Sequence, residues 1–138
     1  MTNVDSIVFT FNSVHPKWSF VKLNARGCVV EVAEKNPISN IATCGIYWYR
    51  KGSDFVKYAQ QMISKNIRVN NEFYVDSLCG ELIKLGLQVY VFEVDFYVCW
   101  GTPNDLRTFN YWQSFFHKCT WHPYSIELEV ADSNVYAC

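Results

Sequence analysis

The chain has 138 residues, of which 50% are hydrophobic and 17% aromatic, and this composition favours one packed domain over a disordered segment. Its formal net charge of −1 provides no basic surface, so we expect no nucleic-acid partner. The sequence shows neither a membrane-span-length apolar run nor a secretory signal, so we expect a cytoplasmic protein without a membrane partner.

The cysteines indicate reduced thiols rather than disulfides. There are six, an even number, but they are scattered and no signal sequence accompanies them. Four of them fall within apolar strand or helix patterns: Cys28, Cys44, Cys79 and Cys99. We therefore expect these thiols to pack in the core.

Three strands are predicted in the first part of the chain. Apolar and β-branched residues indicate strands at 6–11, 18–23 and 28–33. Between the last two, Asn24 to Gly27 has the composition of a hairpin turn, in which Gly27 can adopt a positive φ. We therefore expect these three strands to form a meander.

A charged pair, Glu34 and Lys35, follows the third strand. The next residues, Asn36-Pro37, favour an extended or turn conformation, and another strand is predicted at 42–49. The ends of strands are where α/β sheets expose ligand-binding groups. A lysine there can bind phosphate, and a glutamate can accept hydrogen bonds from sugar hydroxyls. Alternatively, both residues are only the solvated part of a β-turn.

Two amphipathic helices are predicted next. The first has Ser53 as its N-cap, and the second begins near Glu72 and ends before Gly86. Helical spacing predicts that each buries one apolar stripe. The stripes consist of Phe55, Ala59, Met62 and Ile63 in the first helix, and of Val75, Leu78, Cys79, Leu82 and Ile83 in the second.

The remaining pattern predicts strands at 87–92 and 95–100, and then a helix that extends to about Lys118. Thr102 as N-cap, Pro103 at the first helical position and Asp105 at N3 mark the start of that helix. Further on, the pattern shows only a weak strand at 126–130. We expect an α/β fold, a mixed sheet with packed helices, comprising a domain at 1–118 and a divergent tail at 119–138.

Four motifs occur in a fixed order over roughly residues 5 to 115. They are Glu34-Lys-Asn-Pro37, Ala42-Thr-Cys-Gly-Ile-Tyr-Trp-Tyr49, Asn71-Glu-Phe-Tyr-Val-Asp76 and Gly101-Thr-Pro-Asn-Asp-Leu106. Their order and spacing resemble the C-terminal half of a sugar-phosphate nucleotidyltransferase (NDP-sugar pyrophosphorylase) domain. The resemblance implies the second half of a Rossmann-like nucleotide-diphospho-sugar transferase fold.

In that family a sugar 1-phosphate attacks a nucleoside triphosphate, giving a nucleotide-sugar and pyrophosphate, with Mg²⁺ bridging phosphate oxygens. The resemblance implies a role in polysaccharide or lipopolysaccharide biosynthesis. The family's Gly-rich nucleotide loop has no counterpart in this sequence. We therefore expect no catalytic residue in the chain and no nucleotidyltransferase activity from the chain alone. The alternative is a non-catalytic binding or interaction module that has kept the fold.

The resemblance implies that the substrate-binding residues are those of the sugar-phosphate side. Lys35 matches the family lysine that contacts the phosphate, and Glu34 matches the glutamate that contacts the sugar. Gly45 would allow the backbone to approach the ligand, or it marks a strand bulge.

Three further residues are candidates for contact with the sugar. Tyr47 could form a wall of its pocket, although aromatic residues of a strand commonly belong to the core. Glu72 and Asp76 could reach sugar hydroxyls, although carboxylates near the start of a helix also stabilise its dipole. The expected ligand of this set is a sugar 1-phosphate.

The metal position departs from the family pattern. Many members have a metal-binding aspartate two residues before the glycine of the last motif, and here that residue is Cys99. Because Mg²⁺ prefers oxygen ligands, a thiol makes the implied magnesium doubtful, and Asp95 and Asp105 are only distant substitutes.

A half-domain of this kind would expose a sheet edge and helix faces that the other half normally covers. We therefore expect a missing N-terminal half or self-association to cover these surfaces.

Overall fold

The computed structural model describes residues 4–119. They belong to two compact units, Met1–Tyr97 and Val98–Cys138. The predicted strand at 126–130 and all of the predicted tail except Cys119 lie outside the described residues. No helix among residues 4–119 is both long enough and apolar enough to cross a membrane.

The first unit is built on a mixed sheet. Its five strands are β1 (Ser6–Asn12), β2 (Phe20–Leu23), β3 (Val29–Ala33), β4 (Ile41–Tyr49) and β5 (Val89–Glu93), in the order β3-β2-β4-β1-β5. Strand β1 is antiparallel to β4 and parallel to β5. The predicted α/β class with a mixed sheet is therefore confirmed.

Two strand predictions are wrong. The first three strands do not form a meander, because β1 pairs with β4 and β5 and only β2 and β3 form a hairpin. The predicted strand at 95–100 is absent, and this apolar segment has no strand partner among the described residues. Phe96, for example, is 92% exposed.

Two helices complete the first unit, α1 (Gly52–Ser64) and α2 (Val75–Lys84). Their N-cap residues are Lys51 and Tyr74, and neither side chain caps its helix, so Ser53 is not an N-cap. Helix α2 begins after the predicted start near Glu72. The segment before it includes Asn70 and Asn71, both with positive φ angles, and Val69 and Glu72 form a short bridge. This turn delays the helix.

The predicted helix faces are only partly buried. Leu78, Cys79 and Leu82 of α2 are at most 1% exposed, whereas Val75 is 38% exposed. In α1, Met62 is buried but Ile63 is 55% exposed. The main core cluster consists of Val8, Val21, Val29, Cys79, Leu82 and Val89.

The second unit contains α3 (Pro103–Lys118) within its described part. The predicted capping box is confirmed. The Thr102 hydroxyl accepts a hydrogen bond from the Asp105 backbone at 3.1 Å, and the Asp105 carboxylate accepts one from the Thr102 backbone at 3.1 Å. These reciprocal bonds fix the start of α3.

Candidate functional site

The turn after β3 carries the charged pair predicted from the sequence. Lys35 has a φ of 52°, a left-handed conformation that residues other than glycine adopt rarely. The side chain of Glu34 accepts a hydrogen bond from the Ser19 hydroxyl. Ser19 is itself buried, and its carbonyl accepts the Thr43 backbone N–H at 2.9 Å. The carboxylate of Glu34 is therefore anchored to the central part of the sheet.

Tyr74 joins Lys35 to Glu72. The Lys35 ammonium donates a hydrogen bond to the Tyr74 hydroxyl at 3.3 Å and lies 5.4 Å from the centroid of the ring. The same hydroxyl donates to the Glu72 carboxylate. Two of the predicted residues are thus connected by a tyrosine that the sequence reasoning missed.

The electrostatics of this turn favour a charged lysine. The hydrogen bond with Tyr74, together with the charges of Glu34 and Glu72, raises the pKa of the Lys35 ammonium above its ordinary value. These contacts therefore favour the charged form of Lys35. A stable positive charge at an exposed strand end is suited to binding phosphate.

Tyr47 and Asp76 lie together in a second group, in which Asp76 is buried and Tyr47 is partly buried. Burial, together with the charge of Asp76 and a hydrogen bond to it, raises the pKa of Tyr47. Asp76 is 8% exposed, and its Oδ1 atom has no hydrogen-bond partner among the described residues. Nearby, the Tyr49 hydroxyl contacts Cys79 Sγ at 3.9 Å, and burial raises the pKa of Cys79 to about 12. Tyr47 and Asp76 are thus part of the packing between β4 and α2.

Gly45 lies at a bulge in β4. Val8 and Thr10 of β1 pair with Tyr47 and Thr43, so the residues around Gly45 oppose Phe9 alone. The φ of Gly45 is 78°, and a Cβ added there would meet nothing within 4 Å. The predicted strand bulge is therefore present at Gly45. The open space beside Gly45 would also leave room for a ligand to approach the backbone.

The residues around Cys99 fit magnesium poorly. Cys99 Sγ donates to the Asp105 carboxylate at 3.4 Å, and the same carboxylate oxygen accepts hydrogen bonds from the backbone and hydroxyl of Thr102. A soft thiol beside a carboxylate oxygen engaged in a capping box is not the oxygen-rich site that Mg²⁺ requires. Across residues 4–119, no group of three or more His, Cys, Asp or Glu side chains could hold a metal ion.

The fold is similar to those of several solved nucleotidyltransferases. A nucleoside-diphosphate-sugar pyrophosphorylase from Vibrio cholerae RC9 is 26% identical, with a TM-score of 0.67 over 77% of this chain. A CMP:2-keto-3-deoxy-manno-octonic acid synthetase solved with CTP is 19% identical, with a TM-score of 0.54 over 81% of the chain. A Bacillus anthracis structure assigned as a glucose-1-phosphate thymidylyltransferase, in complex with sucrose, is 20% identical, with a TM-score of 0.58 over 79% of the chain.

The chain spans about half the length of these structures. It covers 46% of the Vibrio cholerae chain, 50% of the synthetase and 43% of the Bacillus anthracis chain. No family model and no curated protein matches the sequence. The described chain therefore has the fold of part of a nucleotidyltransferase-like α/β domain.

Proposed function

We propose that the chain is the sugar-phosphate-binding, C-terminal part of a nucleotidyltransferase domain that produces nucleotide-sugars from sugar 1-phosphates and nucleoside triphosphates. The products would serve polysaccharide or lipopolysaccharide biosynthesis. The observation that carries this proposal is the Glu34-Lys35 turn, in which a charged lysine and an anchored carboxylate lie side by side. The likeness to the Vibrio cholerae pyrophosphorylase supports the class of substrate.

The geometry of the turn suits a phosphate and a hydroxylated ring. An ammonium group has three donors, so the hydrogen bond to Tyr74 leaves Lys35 two donors for phosphate oxygens. One oxygen of Glu34 accepts from Ser19, and the carboxylate keeps acceptor capacity for a sugar hydroxyl. In this proposal Lys35 binds the phosphate and Glu34 orients the sugar.

The remaining predicted residues have more limited roles in the proposal. The exposed bulge at Gly45 would allow the backbone to approach the sugar. Tyr47 and Asp76 would support the site through the packing of β4 against α2, since the Oδ1 atom of Asp76 is buried and is not open to a ligand hydroxyl.

In this proposal, another polypeptide segment binds the nucleotide. The chain covers about half of the solved nucleotidyltransferases, and its sequence has no Gly-rich phosphate loop. We therefore propose that either the missing half of the domain or a second copy of this chain covers its exposed sheet edge.

Replacing Lys35 tests the site directly. Lys35→Ala removes the charged donor, and we expect it to weaken sugar 1-phosphate binding by about ten- to a hundredfold, as for loss of a charge-assisted hydrogen bond. Isothermal titration with glucose 1-phosphate, mannose 1-phosphate and a wider panel of sugar 1-phosphates measures the change.

Lys57→Ala is the matched control, because Lys57 is another exposed lysine that lies over a tyrosine ring, 5.2 Å from the centroid of Tyr58. Its affinity should equal that of the wild type. If the wild type binds a sugar phosphate and Lys35→Ala binds it equally well, the Glu34-Lys35 turn is not the phosphate site. If the wild type binds none of the panel, the proposed substrate class is wrong.

A further inference from the structure

Tyr74 and Glu72 form a hydrogen-bonded chain that ends on the Lys35 ammonium. Tyr74 is 39 residues from Lys35 in the sequence, and the tertiary fold brings the two side chains together. The direction of the chain is fixed by chemistry. An ammonium can only donate and a carboxylate can only accept, so the tyrosine hydroxyl must accept from Lys35 and donate to Glu72.

The backbone that carries Tyr74 and Glu72 is held in place. Val69 and Glu72 exchange two backbone hydrogen bonds of 3.0 and 2.9 Å. The Arg68 guanidinium donates to the Asn71 carbonyl at 2.9 Å and lies 4.0 Å from the centroid of the Phe73 ring. Tyr74 itself is the extended N-cap residue of α2. This segment therefore presents the tyrosine hydroxyl from a defined position.

An exposed lysine otherwise has many side-chain conformations. Ordering it on a ligand costs conformational entropy, and an existing hydrogen bond removes part of that cost before the ligand arrives. The negative charge of Glu72 also polarises the Tyr74 hydroxyl, which makes its oxygen a better acceptor for the ammonium.

We propose that Tyr74, supported by Glu72, is a positioning residue that holds the Lys35 ammonium in place for the phosphate of the sugar 1-phosphate. The inference rests on the proposed function for the identity of the ligand. The contact between Tyr74 and Lys35 can be tested without any ligand, so the two proposals can fail separately.

The first experiment uses the unliganded protein. NMR titration of lysine labelled with ¹³C at the ε-carbon follows the pKa of Lys35 in the wild type and in Tyr74→Phe, which keeps the ring and removes the hydroxyl. We expect the pKa of Lys35 to fall in Tyr74→Phe and, to a smaller extent, in Glu72→Gln. Tyr58→Phe is the matched control and should leave Lys35 unchanged. An unchanged Lys35 pKa in Tyr74→Phe would overturn the inference.

The second experiment measures sugar 1-phosphate affinity. We expect Tyr74→Phe and Glu72→Gln to weaken binding by about three- to tenfold, less than the loss of Lys35 itself, because both bonds are solvent-exposed and act on the ligand only through Lys35. Because Tyr74 acts through Lys35, the double variant Lys35→Ala, Tyr74→Phe should bind no more weakly than Lys35→Ala alone.

The outcomes separate the two proposals. Additive losses in the double variant would show that Tyr74 does not act through Lys35, and they would overturn the inference while the binding site stands. If the wild type binds no sugar phosphate, the proposed function fails. The part of the inference that concerns phosphate binding then fails as well. The NMR titration would then still decide whether Tyr74 and Glu72 hold Lys35.

Discussion

Lys35 combines the charge that we propose binds phosphate with an unfavourable backbone conformation. Its φ of 52° costs a residue with a side chain more than it costs glycine, because the Cβ atom crowds the neighbouring carbonyl. Such strained residues are retained where the surrounding structure holds them and where the side chain has a role. Here the hydrogen bond to Tyr74 holds the Lys35 side chain, and in the turn that follows, the Ile38 backbone N–H donates to the Asn36 carbonyl at 2.9 Å.

Lys35→Gly should therefore stabilise the fold and weaken ligand binding. We expect the midpoint of thermal unfolding to rise by roughly 2–5 °C, because glycine removes the left-handed strain. Lys35→Ala keeps a Cβ atom and should change the midpoint much less. Differential scanning calorimetry compares the three proteins, and a lower midpoint for Lys35→Gly than for Lys35→Ala would contradict the strain argument.

At the level of elements, β4 and α2 carry half of the six candidate residues. Strand β4 supplies Gly45 at its bulge and Tyr47 toward the core, and α2 supplies Asp76 in its first turn. The bulge matters because three residues of β4 there oppose one residue of β1, which shifts the register between the two halves of the strand. Glycine at this point allows the shift without strain.

Two glycine substitutions separate backbone strain from packing. A Cβ atom added at Gly45 or at Gly80 meets nothing within 4 Å, but only Gly45 has a positive φ. We expect Gly45→Ala to destabilise the protein by about 1 kcal/mol because of the left-handed conformation.

Gly80→Ala is the matched control and should have the opposite sign. Gly80 lies within α2, where alanine favours the helix by about 0.5–1 kcal/mol relative to glycine. Urea unfolding of both variants measures the difference. Equal effects of the two substitutions would mean that the conformation of the bulge does not determine the stability change.

At the level of the whole molecule, the first unit has an open edge along the second half of β4. This part of the strand, residues 44–49, pairs with β1 on one side but is not paired with β2 on the other. Arg50 donates its backbone N–H to the Asp5 carbonyl at 2.9 Å, toward β1. In an antiparallel ladder the backbone groups of successive residues point to alternate sides, so those of Tyr47 and Tyr49 point away from β1. On that side the pairing of β2 with β4 includes only Phe20 and Ala42 among the described residues.

The same segment is apolar on its surface. Ile46 is 55% exposed and Trp48 is 44% exposed, and residues 44–49 include neither a charged residue nor proline. Proteins usually protect such edges with charges, prolines or a covering element. The low net charge of the chain also provides little repulsion between copies.

We therefore expect the isolated chain to self-associate through β4. Sedimentation velocity should show association at tens of micromolar, and hydrogen exchange should show that the Tyr47 and Tyr49 amides become more protected as concentration rises. Ile46→Lys should shift the protein toward monomer, because it places a charge beside the edge. The control is Val14→Lys, since Val14 is 69% exposed in a loop and its replacement should leave association unchanged.

A stable monomer at these concentrations would contradict this prediction and would favour an independently evolved small domain. Association without protection of the Tyr47 and Tyr49 amides would show that another surface is responsible.

The sequence determined the features that depend on neighbouring residues. Periodicity predicted the five observed strands and three helices, and local chemistry predicted the hairpin turn at Gly27, the capping box of Thr102 and the helix end at Gly86. Each is a choice among conformations of a few consecutive residues, for which side-chain volume and local hydrogen bonds are sufficient. Local sequence also marked Glu34 and Lys35 at the end of a strand, and the resemblance added Gly45, Tyr47, Glu72 and Asp76 as candidates.

Only the tertiary structure decided which distant groups meet. The position of β1 between β4 and β5, the lack of a strand at 95–100 and the burial of Asp76 follow from long-range pairing and packing. The contact of Tyr74 with Lys35 has the same origin. A strand pattern shows that a segment can pair, but the partner is chosen by the burial of the whole core, which no local pattern contains.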